Sequence, residues 1–145
     1  MNDPDVRLDA LRWMRYAAED LRTADRLLVE PGVPPRQACY LAQQAAEKAL
    51  KAVLVLLQVD FPKTHDLDRL RGLVPADWLR TTAHTDLAPL TAWVVEARYP
   101  GDWSDATEPD AHGAVALAGA VVTSVTADLA SHGVHTPDPH SPEDH

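Results

Sequence analysis

An all-α bundle is the fold class this sequence predicts, on three observations. The stretch from Arg36 to Gln58, RQACYLAQQAAEKALKAVLVLLQ, keeps a helical period with no breaker along its length. Two further apolar-periodic stretches, about Asp5–Val29 and Asp110–His132, run well beyond any usual strand. No alternating strand pattern, internal repeat or glycine-rich phosphate loop occurs.

The first helix is expected from about Asp5 to Val29, with Asp3 as N-cap and Pro4 in the first turn. Leu11, Met14, Ala18, Leu21 and Leu28 form its apolar stripe. Glu30-Pro31-Gly32-Val33-Pro34-Pro35 ends it, and so short a link makes the first two helices an antiparallel pair. In the central helix Ala38, Ala42, Ala45, Ala46, Ala49 and Ala52 allow close packing, while Leu41, Leu50, Val53, Leu54 and Leu57 supply bulk. One strip stays polar: Tyr40, Gln43, Gln44, Glu47, Lys48 and Lys51 recur at three- and four-residue spacing. Taken on the helix alone, that strip reads as a solvated face.

Thr64 is the expected N-cap of a short helix carrying Leu67, Leu70 and Leu73, with His65 and Asp66 in its first turn. Another short helical piece is expected around Trp78 and Leu79. A helix from about Asp86 to Ala97 follows, with Pro89 in its first turn and Leu87, Leu90, Val94 and Ala97 inward. Tyr99-Pro100 stops it, because the residue before a proline is pushed out of the α region. The last helix buries Val115, Leu117, Ala118, Val121, Val122, Val125 and Leu129 and stops at Gly133. Residues 1–133 are thus expected to form the bundle, and residues 134–145 a disordered tail rich in Pro, Asp and His.

At 145 residues the chain is large enough for one domain with its own core. Its single cysteine, Cys39, excludes an internal disulfide and reads as a small buried hydrophobe. No apolar run is judged to reach membrane-spanning length, and the N-terminus lacks a signal-peptide pattern, so a cytoplasmic protein is expected. A net charge of −9 argues against broad nucleic-acid binding while leaving room for a local basic site. Without HExxH or CxxC, and with His132, His135, His140 and His145 at or near the tail, no metal site and no cofactor are expected.

Three clusters could carry chemistry. Gln43-Gln44-x-x-Glu47-Lys48 offers amide, carboxylate and ammonium groups within about a turn. Thr64-His65-Asp66 sets an imidazole beside a carboxylate at a helix start, and Arg98-Tyr99-Pro100 a guanidinium and a phenol at a helix end. One reading joins them in a pocket for a nucleotide or phosphate, with Lys48 and Arg98 as anion anchors and Tyr99 as a stacking surface. Gln44, Glu47, His65 and Asp66 complete that candidate set. The other reading is a lock on helix register, in which Glu47 pairs with Arg98 or Lys48 and His65 caps a carbonyl.

The order AAEDLRTADRLL, ACYLAQQAAEKALKAVL, KTHDLDRL, ARYPG resembles the HEPN family (higher eukaryotes and prokaryotes nucleotide-binding) from about Ala17 to Leu129. The resemblance implies an up-and-down bundle of four to five helices that dimerises. It also implies a frequent pairing with a minimal nucleotidyltransferase in a toxin–antitoxin arrangement. Many members are ribonucleases whose site is an Arg followed four to six residues later by His. Here Arg98 is followed by Tyr99-Pro100-Gly101-Asp102-Trp103-Ser104, and the next histidine is His112. The expectation is therefore a non-catalytic homodimeric module binding a nucleotide, RNA or a partner protein. The alternatives are a divergent endoribonuclease toxin using Arg98 with His65, and a dimeric structural subunit without ligand.

Overall fold

The computed structural model describes residues 3–96 and 105–136. Five α-helices and one 3₁₀ turn make up its regular structure: α1 (Pro4–Leu27), α2 (Pro35–Leu56), α3 (Leu67–Gly72), the turn Arg80–Thr82, α4 (Ala88–Glu96) and α5 (Glu108–Ser131). No strand occurs among the described residues.

α2 is the axis of the bundle and packs against each of the other four helices. All six of its predicted small residues, Ala38, Ala42, Ala45, Ala46, Ala49 and Ala52, are buried, as are Leu50, Val53, Leu54 and Leu56. Leu41 and Leu57 lie at the margin of the core. Small side chains bring neighbouring helix axes close, and the larger ones fill the space alongside. The same rule corrects the predicted face of α1. Its fully buried line is Ala10, Met14, Ala17 and Ala24, with Leu11, Leu21 and Leu28 at the edges, so the contact with α2 centres on alanines.

The helix boundaries have local causes. Asp3 caps α1 by accepting from the Asp5 amide at 2.9 Å, and Thr107 and Asp110 form a reciprocal capping box at the start of α5. α2 stops where Gln58 turns left-handed (φ 55) and the Val59 amide reaches back to the Leu54 carbonyl at 2.9 Å. Gly133 (φ 80) ends α5, and buried Val134 continues the core one residue past the expected end of the bundle. The rest of the expected tail, from residue 137, lies outside the described residues.

Two local expectations are corrected. The N-cap of α3 is Asp66, whose carboxylate accepts from the Arg69 amide at 3.2 Å; Thr64 supports it one step earlier by accepting from the Asp66 amide at 3.1 Å. His65 and Asp66 thus precede α3. Trp78 and Leu79 are not helical, because Leu79 is left-handed (φ 57) and the 3₁₀ turn begins after it. Such backbone costs about 1–3 kcal/mol and needs support. Leu79 has it: its side chain is buried and its amide donates to Asp128 Oδ2 at 2.6 Å.

α4 and α5 follow the prediction closely over the described residues, with Leu87, Leu90 and Val94 buried beside α4 and Val115, Ala118, Val121, Val122, Val125 and Leu129 buried on α5; Ala97, also expected inward, lies outside the described residues. Leu117 is only partly buried. Contrary to the sequence-based expectation, α5 is long and apolar enough by length and composition to cross a membrane. The reason is that residues 111–127 contain no Asp, Glu, Lys or Arg. In the bundle the helix sets Ala114, Ala118, Val121 and Val125 into the core.

Ala46 is fully buried on α2, within the core. Ala46→Leu is expected to destabilise the protein by roughly 1–3 kcal/mol through overpacking. A thermal melt tests this, and an unchanged melting temperature would contradict it.

Candidate functional site

The polar strip of α2 is not a solvated face. Gln43 and Glu47 are buried, because the segment between α2 and α3 folds back over them and brings His65 and Phe61 to the helix. Glu47 Oε1 accepts from His65 Nδ1 at 2.7 Å and from Gln43 Nε2 at 3.1 Å, while Oε2 accepts from Lys51 Nζ at 2.9 Å. Gln43 Nε2 also donates to the His65 carbonyl at 3.1 Å, and Gln43 Oε1 accepts from Gln44 Nε2 at 2.7 Å. No buried side-chain nitrogen or oxygen among the described residues lacks a partner.

Lys51 is held as tightly as the carboxylate it serves. Its ammonium lies 5.8 Å from the Trp13 ring centre of α1 and 5.7 Å from that of Phe61, and its side chain is only 14% exposed. Two aromatic faces and one carboxylate thus replace its water. Lys48, one turn back, bonds Asp20 of α1 at 2.5 Å. The strip is therefore a seam: Lys48 and Lys51 face α1, while Gln43 and Glu47 hold the chain leading to α3.

Burial alone would push the Glu47 carboxyl up. Hydrogen bonds from Lys51, His65 and Gln43 more than offset this, and its pKa falls below the ordinary carboxylate value. Glu47 is thus ionised at neutral pH, which assigns the proton of the short His65 contact to Nδ1. The imidazole is presented to solvent, 45% exposed, with Nε2 bonded to none of the described residues. An exposed imidazole oriented by a buried carboxylate can accept or donate one proton, or bond a ligand oxygen, from a fixed position. Cys39 offers no comparable chemistry, since burial foremost, and then Asp110, push its thiol up to about 11.

Of the residues selected from sequence, Gln44, Glu47 and His65 come together. Lys48 is turned to Asp20 rather than to Glu47, and Asp66 is spent as a helix cap. Arg98 and Tyr99 lie outside the described residues. His65 does not cap a carbonyl; its own carbonyl accepts from Gln43. Lys51, Trp13, Phe61 and Asp20 were absent from the selected set. A signal for one of them was present, because Gln43, Glu47 and Lys51 follow one another at i,i+4 between buried alanines and leucines.

The helical bundle has counterparts among known proteins. The HEPN domain family matches residues 10–128. The chain belongs to the HEPN family. A solved HEPN structure, that of ST0689, an archaeal HEPN homologue, is similar at a TM-score of 0.63 and 26% identity. The likeness covers 83% of this chain and 97% of that one. No curated protein matches the chain. Family and architecture thus agree with the helical order read from the sequence. No group of three or more His, Cys, Asp or Glu side chains that could hold a metal ion occurs among the described residues of this HEPN chain.

Because Glu47 has a lower pKa folded than unfolded, the stability it contributes is complete above the unfolded value, about 4.3. It is lost as pH falls through the folded value. Glu47→Gln is expected to cost on the order of 3 kcal/mol at pH 7, since it leaves Lys51 enclosed without its carboxylate. The difference from wild type should shrink at pH 3. Urea denaturation at both pH values checks this, and an equal difference at each would contradict it.

Proposed function

We propose that this HEPN chain is a non-catalytic binding module that engages a nucleotide, an RNA end or a partner protein through the exposed edge of His65. Supporting this reading is the fate of Glu47, whose carboxylate is wholly spent inside the chain and leaves the His65 imidazole as a fixed polar contact. The sequence agrees, because no histidine falls within six residues after Arg98. A ribonuclease of the family type must take a proton from the ribose 2′-hydroxyl and return one to the leaving oxygen. Each step needs a titratable group within hydrogen-bond reach of the phosphate. Asp102 would repel that phosphate, and neither Trp103 nor Ser104 titrates near neutral pH.

The module is read as a cytoplasmic homodimer. Outward-facing residues of α5 such as Ala116, Ala120, Thr123 and Ala127 are small and uncharged, and association is the usual way to cover such a surface. A minimal nucleotidyltransferase, in a toxin–antitoxin arrangement, is the proposed protein partner. A second reading, a divergent endoribonuclease using Arg98 with His65, draws support from the carboxylate–imidazole pair, an arrangement that also serves a general base.

One set of experiments separates the two. Single-turnover assays on tRNA and mRNA fragments compare wild type, Arg98→Ala and His65→Ala. No cleavage that depends on Arg98 is expected, and His65→Ala should weaken nucleotide or RNA-end binding while the bundle still folds. Cleavage abolished by both substitutions in folded protein would establish the ribonuclease reading instead. Sedimentation at micromolar concentration should give a dimer, and a monomer would remove that part of the proposal.

A further inference from the structure

α1 packs against α2 with its alanine line, and the opposite side of the helix is open to solvent. Arg12, Arg15, Arg22 and Arg26 are all exposed along that side, and Tyr16 stands among them, 42% exposed. The chain as a whole has 22 acidic residues against 13 basic ones, yet only Glu19 falls on this line. Glu19 approaches Arg15 no closer than 3.9 Å, and Asp9 at the margin bonds Arg12 at 3.3 Å with both side chains more than half exposed. Asp20 is turned inward to Lys48, and Asp25 stands at the flank. Exposed pairs of this kind are weak and exchange readily for a stronger anion.

We infer that the outward side of α1 is a contact surface for single-stranded RNA, distinct from the His65 edge. The inference rests on the reading of the chain as a binding module, with RNA as its ligand. Arg12 to Arg26 spans about 21 Å of helix, long enough to follow several successive phosphates. All four cations are arginines, whose planar guanidinium bonds phosphate oxygens in pairs and stacks on aromatic rings and bases. The Arg15 guanidinium carbon lies 5.2 Å from the Tyr16 ring centre, so a base placed there meets a π-face and a cation together. An acidic peptide would use the charges but has no need of Tyr16.

The test measures binding of a labelled single-stranded RNA dodecamer to the full chain over a range of salt. Arg15→Gln/Arg22→Gln/Arg26→Gln is expected to weaken binding at least tenfold and to reduce the salt slope by about 2, since each phosphate contact on a single strand contributes about 0.7. The same three positions changed to Lys should keep most of the slope, and melting curves confirm that each variant folds. RNA binding unchanged in the Gln variant but weakened by His65→Ala would overturn the α1 surface and leave the module reading intact. Failure of wild type to bind the RNA at low salt would overturn the α1 surface together with RNA as the module's ligand, leaving a nucleotide or a partner protein. Polyglutamate of equal charge binding as tightly as RNA would overturn the assignment to nucleic acid.

Discussion

The buried carboxylate of Glu47 is the constraint on which the arrangement around α2 depends. An ionised group inside a helical core is tolerated only if every oxygen is answered, and here the answers come from three places in the chain. Gln43 and Lys51 come from the same helix at i−4 and i+4, and His65 from the segment leading to α3. Lys51 in turn needs Trp13 of α1 and Phe61 of the same segment to replace its water. Satisfying one charge therefore fixes α1, α2 and the approach to α3 relative to one another, a specification that nondirectional apolar packing would leave looser.

A second polar node repeats the logic at the other end of α3. The Arg71 guanidinium donates to the Thr82 carbonyl at 2.7 Å and to the Thr85 carbonyl, and is held by Asp68 at 2.7 Å. Asp68 also accepts from the Leu87 amide at 3.3 Å. The irregular stretch between α3 and α4 thus has several of its backbone groups paired by two side chains of a six-residue helix. With Asp128 supporting the left-handed Leu79, this explains how a connection of poor intrinsic regularity holds one conformation.

The bundle was legible in the residues because its punctuation is strong. Asp3, Pro34-Pro35 and Gly133 act locally, and the helical period of α2 and α5 extends too far for a strand. What sequence misjudged was orientation. Counting leucines put the buried line of α1 to one side of its true place, since bulk does not reveal that two helices meet through alanines. The polar strip was misread for a related reason. Whether Gln43 and Glu47 face water depends on where residues 59–66 fold, and no periodicity within α2 encodes that. The i,i+4 row Gln43, Glu47, Lys51 carried the clue, but without Trp13 and Phe61 in place it looks like any exposed helix surface.

The uncharged run of α5 ties stability to the fate of the nascent chain. Residues 111–127 are shielded in the folded protein partly by α2, which is made well before α5 during synthesis. Until the last helix docks, the polypeptide displays a long uncharged segment whose apolar side chains are open to association with other unfolded chains. Substitutions that loosen α2 therefore act twice: they weaken the bundle, and they lengthen the time during which its longest uncharged stretch competes for the wrong surroundings.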